Sequence, residues 1–478
     1  MIQEIDIQPA DRVVFIHIPK TAGITFSTVI HPLLAQLPWC PVISAENLVA
    51  IPYDEILQYK LFTGHFRYRL LEKIFPSGFI ALTFLREPIS RTISHYKYLL
   101  RQETFGVNPW GDAELKLVKK MTLEEYVSNE QLHLALDIVN LQTGFWGGFD
   151  LPPELVSETE TVASLTENLT ALSIRINSKP TSIAERYPIG PKNLEVAKKR
   201  LEQAGFFGLT ERFQDSLFLL CFIFGWPPIL DALRLNHRPD SEADNAIDSH
   251  TLKQIQNKVA LDLELYQFAQ KLFEQRFNEM TQLLLERYAN EATEMQPLSK
   301  ELLYTLLQKH YEARRNQRNR TLLKNIGRIY LYRPSLHAEG SFGWHIAETF
   351  PGDGPAAWSG PGMESGFDLP CPRGGNLQVS FRILMVLERD IIDKLSLTIN
   401  HVPIRLQRKT DARGAFIFTG NVPPPAATGP FLHLVFSVPQ TIAPCDITPD
   451  NKDARQLGIL LHWVKLECLS QDPMKKEK

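Results

Sequence analysis

The sequence predicts two architectures in one chain: an α/β half built on a parallel sheet with helices on both faces, and a C-terminal all-β sandwich. Three observations carry this. In the first half, short apolar runs each lead into a helical pattern, as buried parallel strands with helical crossovers do. The texture changes near residue 290. From Pro334 onward Gly and Pro are dense, as in WSGPGMESGFDLPCPRGG over 358–375, and short alternating segments recur between turn signals.

The elements follow in order. The run 13–18 (VVFIHI) ends at Pro19-Lys20 and reads as a buried strand, and 23–34 suits a helix. Residues 61–63 give a second strand, and 79–85 (FIALTFL) a third, followed by a helix at 89–101. The fourth strand, 206–209, precedes a helix at about 211–224. Thr122 with Glu125 forms a capping-box pair. Helical periodicity marks 193–204 and 252–286. Residues 290–333 are expected to connect the two halves. Their second part, 309–333, holds eight basic residues and one acid, Glu312, which suits either a solvated helix face or an anionic contact surface. The strands expected after Pro334 are 377–387, 394–399, 415–419, 431–438 and 457–466, with Asn400-His401 as a hairpin turn. The expected domains are 1–289, a basic helical connector at 290–333, and the sandwich at 334–470.

Composition narrows the function. The 478 residues are 44% hydrophobic and 22% charged, ordinary for a globular chain and incompatible with global disorder. Lys and Arg number 51 against 54 Asp and Glu, a net charge of −3, which speaks against a nucleic-acid-binding polycation. No apolar run reaches the ~18 residues of a membrane span. The opening MIQEIDIQPADR is acidic and lacks an apolar signal core. Five scattered cysteines argue against a disulfide framework and a CxxC metal site. A soluble, cytoplasmic protein is expected.

Chemistry concentrates in two segments. In FIHIPKTAGITF, 15–26, a buried strand runs into a tight turn and then a helix. That geometry aims successive backbone N–H groups at one spot, which suits a phosphate or sulfate. Lys20 adds a point charge, Gly23 allows close backbone approach, and Thr21 and Thr25 offer hydroxyl donors. As an ordinary βα turn the same segment would leave Lys20 solvated. The segment is P-loop-like but holds no GxxxxGK[ST] string. In TFLREPISRTISHYKYL, 83–99, a strand delivers Arg86 to its carboxyl edge, and Ser94 lies about two helical turns further on. The pair suits a clamp on one phosphate. Alternatively Arg86 pairs with an acid and Ser94 is a surface residue.

Together IPKTAG and FLREPISRTISHY resemble the 5′-phosphosulfate loop and the 3′-phosphate site of sulfotransferases that use 3′-phosphoadenosine 5′-phosphosulfate (PAPS). Among these, the carbohydrate branch of the family 2 type is the best match, especially heparan sulfate 6-O-sulfotransferases. The stretches NLQT (140–143), FFGLTERF (206–213) and LDLELYQFAQKLFEQRF (261–277) are similar to that branch too, so the resemblance covers about 11–280. It implies a sulfotransferase fold for 1–289 and transfer of a sulfuryl group from PAPS to a carbohydrate hydroxyl, without a metal. Lys20 is implied to contact the bridging and sulfate oxygens. Thr21, Ala22, Gly23, Ile24 and Thr25 are implied to cradle the 5′-phosphate, and Arg86 with Ser94 to bind the 3′-phosphate. His65, in FTGHF, sits where the branch has its proposed catalytic base. His17 reads as structural. Ile24 stands where many relatives have Thr, and Gly144 where heparan relatives tend to carry Arg. With no signal anchor expected, the picture is a bacterial cytosolic relative.

Two other readings stay open: a nucleotide-dependent phosphotransferase, and a non-catalytic glycan-binding adaptor on a sulfotransferase scaffold. The sandwich shows no catalytic constellation. Trp344, His345, Trp358 and Trp463 either form a sugar-stacking platform, giving the C-terminal domain a glycan contact, or pack the core or the interdomain face.

Overall fold

The computed structural model describes residues 2–34, 37–102, 115–129, 137–148, 189–230, 247–289, 299–334, 338–448 and 450–469. They fall into two compact units: Met1–Ser27 with Leu37–His310, and Thr28–Gln36 with Tyr311–Lys478. None of the five cysteines is disulfide-bonded. Among the described residues no helix is long and apolar enough to cross a membrane.

The first unit holds a four-stranded sheet in the order β2-β1-β3-β4. Its strands are β1 (Val13–Ile16), β2 (Leu61–Gly64), β3 (Ile80–Leu85) and β4 (Phe206–Leu209), and every pairing is parallel. All residues of β1, β2 and β4 are buried, as the unbroken apolar runs predict. Helix α1 (Gly23–Leu33) follows β1, and α2 (Pro88–Arg101) follows β3. Pro88 begins α2, and the Glu87 side chain caps it by accepting from the amides of Ile89 and Ser90 at 3.1 and 2.7 Å. The Thr122–Glu125 capping box is present and opens α3 (Leu123–Ser128). Later come α4 (Leu141–Gly147), α5 (Pro191–Gln203) and α6 (Phe213–Phe224).

Two expected elements differ. His17 and Ile18 belong to the turn, because β1 ends at Ile16, where its pairing with Gly64 ends. The single helix expected at 252–286 is two, α7 (Ser249–Lys258) and α8 (Ala260–Tyr288). The Asn140 side chain enters the break: its Oδ1 accepts from the amides of Leu261 and Asp262, and the Asn140 backbone N–H donates to Lys258 O.

The second unit has two antiparallel sheets over one apolar core, to which Phe381, Ile383, Val464 and Leu466 of the larger sheet and Phe367, Leu369, Leu434 and Phe436 of the smaller both contribute. The larger sheet runs β13-β14-β10-β16-β8-β7, with β5 (Ile329–Tyr332) also on β16; the smaller runs β12-β11-β15-β9-β6. Their strands are β6 (Glu339–Phe342), β7 (Glu348–Phe350), β8 (Gly354–Trp358), β9 (Glu364–Pro370), β10 (Asn376–Val386), β11 (Ser396–Ile399), β12 (Val402–Pro403), β13 (Gln407–Thr410), β14 (Phe416–Asn421), β15 (Phe431–Ser437) and β16 (Ile459–Leu469). Asn400 and His401 both have positive φ, 48° and 64°, and join β11 to β12 as a tight hairpin turn.

Part of the basic stretch is engaged within the second unit, while Lys309, Arg320 and Lys324 are exposed. Within α9 (Lys300–Arg318), Arg315 is buried against Asp368 and Arg318 pairs with Glu339 at 2.9 Å. Arg328 donates to Cys468 O at 3.1 Å, on the strand beside β5. Three of the four proposed platform residues pack or bond within the unit. Trp344 stacks on Phe367 and donates to Gly366 O, Trp358 is buried in an apolar cluster, and His345 bonds to Gln456 O.

Candidate active site

Three loops meet at the carboxyl edge of the parallel sheet. β1 leads to the Pro19–Gly23 turn, β2 to His65, and β3 to Arg86. The strand order makes β1 the branching strand: the chain passes first to β2 on one side, then crosses back to β3 on the other. The crevice of such a sheet lies at that switch point, between β1 and β3. Lys20 and Arg86 stand on its two sides, and the Arg86 guanidinium donates to the Lys20 carbonyl at 3.2 Å.

The turn is held in an unusual backbone. Lys20 and Ala22 have φ of 71° and 63°, with Thr21 between them outside that region. Left-handed non-glycine residues cost on the order of 1 kcal/mol or more each. Such an alternation turns successive N–H groups toward one concavity. The amides of Thr21, Ala22 and Gly23 donate to no protein acceptor among the described residues. The Thr21 hydroxyl, expected as a ligand donor, instead donates to Ile18 O at 2.9 Å and locks the turn. Thr25 is buried and Ile24 exposed. Gly23 also meets a steric need: a Cβ there would lie 2.0 Å from the His17 ring.

Burial, with the nearby Arg101 and Arg86 charges, lowers the Lys20 pKa to about 8. Its ammonium lies 4.3 Å from the centre of the Tyr98 ring, on α2. The hydroxyl of Ser94, half-buried on the same helix, makes no hydrogen bond to protein among the described residues.

His65 is half-buried, with its Nδ1 2.7 Å from His17 O. A carbonyl only accepts, so Nδ1 bears a proton, and in the neutral ring the lone pair a general base needs then lies on Nε2. The His17 and His65 ring centres are 4.6 Å apart. Burial first, then His65 and Lys20, lower the His17 pKa to about 3, so His17 stays neutral.

The sequence reading missed the residues that hold Arg86. Gln142, buried on α4, accepts from Arg86 N at 3.0 Å and donates to Arg86 O at 2.8 Å. The Asp262 carboxylate, fully buried, accepts from the amides of Gln142 and Thr143 at 3.1 and 2.7 Å, capping the short α4. On the other side Glu211 accepts from Glu87 N and from the Tyr266 hydroxyl at 2.9 and 2.6 Å. NLQT, LTERF and LDLELY thus converge on one turn. The signal for Asp262 was an acid at a buried position of an amphipathic helix.

Residues 3–138 match the model described as the sulfotransferase family. The chain is 25% identical over 340 residues to human heparan-sulfate 6-O-sulfotransferase 2, covering 65% of this chain and 52% of that protein. To the chicken protein of the same name it is 24% identical over 310 residues, 58% of this chain and 71% of the relative. To human heparan-sulfate 6-O-sulfotransferase 1 it is 25% identical over 214 residues, 44% and 46% of the two chains. The chain thus spans about half the length of the first of these relatives. A family 35 carbohydrate binding module from Clostridium thermocellum covers 30% of this chain at 10% identity, with a TM-score of 0.20 that carries no argument. By these matches residues 3–138 are similar to the sulfotransferase family, and the chain is distantly similar to carbohydrate sulfotransferases.

Proposed function

We propose that this protein transfers a sulfuryl group from PAPS to a hydroxyl of a carbohydrate acceptor. The observation that carries the reading is the pairing of the two anion-seeking loops across the switch point, with Arg86 bonded to the Lys20 carbonyl. The free amides of 21–23 and the lysine fit the 5′-phosphosulfate end of the donor. Arg86 and Ser94 fit its 3′-phosphate. In this reading His65 Nε2 takes the proton of the acceptor hydroxyl as its oxygen attacks sulfur. The bond from sulfur to the bridging oxygen breaks, and adenosine 3′,5′-bisphosphate leaves with the electron pair. Lys20 and the turn amides meet the charge that develops on the leaving phosphate, so the reading needs no metal. The activity is assigned to 1–289, in a cytoplasmic protein.

The test is to incubate the full chain with labelled PAPS and a panel of oligosaccharides, without Mg²⁺, and to weigh the products. A sulfated product, together with binding of adenosine 3′,5′-bisphosphate, is expected. Phosphorylated product with Mg·ATP, or nucleotide binding without any turnover, would overturn the reading.

A further inference from the structure

The second unit carries a polar pocket that the proposed transfer does not use. It has a volume of about 460 Å³ and opens on the outer face of the larger sheet. Along β10, Val379, Phe381 and Ile383 enter the core, so Arg382 points outward. Opposite it β16 is bulged: pairing jumps from Arg382↔Trp463 to Ile383↔Leu461, and His462 is the extra residue. Bulges re-aim side chains. Here the bulge lets His462 and Trp463 both line the pocket while Leu461 and Val464 stay in the core. The β7–β8 and β13–β14 loops supply Asp353, Asp411 and Arg413, and Arg333 follows β5.

The charges do not balance. Arg382 is satisfied by Asp353 at 2.7 Å and Asp411 at 2.8 Å. Arg413 donates to Gly352 O and lies 3.5 Å from Asp353. Three guanidiniums face two carboxylates, leaving one positive charge with His462 neutral. His462 is caught between donors. Its Nδ1 is 2.8 Å from Arg382 Nη1 and its Nε2 is 3.3 Å from Arg333 Nη1. A neutral imidazole accepts at one nitrogen only. It can therefore accept from only one of the two guanidiniums, while the Asp353 backbone carbonyl accepts from its ring N–H. Burial first, then the Arg382 charge, lowers the His462 pKa. Arg333 has no carboxylate partner among the described residues.

We propose that this pocket binds an anionic sugar residue, one that bears a carboxylate or a sulfate. Arg333 and Arg413 take the anionic group, which supplies the charged partner that Arg333 lacks. Asp353 and Asp411 accept from ring hydroxyls, and Trp463 forms an aromatic wall for the apolar side of the sugar. The two carboxylates make a dense polyanion a poor occupant, whereas a polyol with a single charge meets both kinds of group. The site would anchor an acidic glycan acceptor or its sulfated product, and in that role it rests on the transfer reading.

The test measures binding of D-glucuronate and glucose 6-sulfate to the full chain by saturation-transfer NMR and calorimetry, without nucleotide. D-Glucose and inorganic sulfate serve as controls. Both anionic sugars are expected to bind about tenfold or more tightly than either control. Arg333→Gln and Trp463→Ala should each lose about tenfold at an unchanged melting temperature, and Arg413→Gln serves where Trp463→Ala fails to fold. Lys20→Ala should bind the sugars as the parent does. Glucose binding as tightly as glucuronate, or inorganic sulfate as tightly as glucose 6-sulfate, would overturn the proposal. So would indifference to the Arg333 change, or loss of binding in Lys20→Ala. Sugar binding that persists while PAPS turnover is absent sinks the transfer reading alone; turnover without sugar binding sinks the pocket alone.

Discussion

The Arg86 guanidinium bonds to the backbone carbonyl of Lys20 at 3.2 Å, so the loop after β3 steadies the loop after β1. Arg86→Ala should therefore weaken adenosine 3′,5′-bisphosphate binding by about tenfold or more, the worth of a charge-assisted bond. Adenosine 5′-phosphosulfate, which lacks the 3′-phosphate, should lose much less. Calorimetry on both nucleotides checks this, and equal losses would assign Arg86 to holding the turn alone.

His65→Ala should leave donor affinity nearly intact and cut turnover by about 10²–10⁴, the usual worth of general-base help. Single-turnover rates from pH 6 to 8 check it. Wild-type turnover across that range would remove His65 from the base role. The next candidates from sequence, His17 and the acids of 105–117, then come forward, though 105–114 lie outside the described residues.

Lys20 binds an anion best when protonated, and its pKa is lowered to about 8. Affinity for adenosine 3′,5′-bisphosphate should be level below pH 8 and fall as the pH rises through 8 to 9.5. Lys20→Ala should bind more weakly and lose that step. A step surviving in Lys20→Ala would place the titration elsewhere.

Gln142 makes two buried bonds to the Arg86 backbone. Gln142→Ala should cost about 1–3 kcal/mol of stability and weaken 3′-phosphate recognition without touching the ligand itself. Denaturant unfolding and nucleotide titration of the same variant measure both. Unchanged nucleotide affinity would limit Gln142 to a role in folding.

His17 and His95 are held neutral, at about 3 and about 4, chiefly by burial. Below pH 6.5 the unfolded chain takes up protons that the folded one refuses. Stability present above pH 6.5 should therefore be lost as the pH falls toward 3, by up to ~1.4 kcal/mol per pH unit for each histidine. His17→Gln should make the acid limb of the stability curve shallower by up to one proton. An unchanged slope would contradict the burial argument.

The sheet of the first unit was legible because its strands are unbroken apolar runs, and β4 matches its expected bounds at Phe206–Leu209. The Asn400-His401 turn was legible because local chemistry sets it. By contrast, β9 lies within the Gly- and Pro-dense stretch and β8 runs into it, where alternation is lost, and β5 was hidden in the basic connector. In the site, Lys20 and Arg86 stand in local motifs. Gln142 and Asp262 act only through partners 56 and 120 residues away, which no window of sequence contains. The break at Val259 escaped notice for the same reason, since Asn140 causes it from outside the helix.

The His17 ring sits where a Gly23 side chain would begin, 2.0 Å from the first carbon, and it is wedged beside Phe15 and His65. Positions 17 and 23 are thus a single choice written in two codons. In a randomised library the two will vary as a pair: any side chain at 23 demands a small residue at 17. A lineage that alters position 23 alone must pass through a crippled ancestor, so the order of the two mutations decides which descendants can exist.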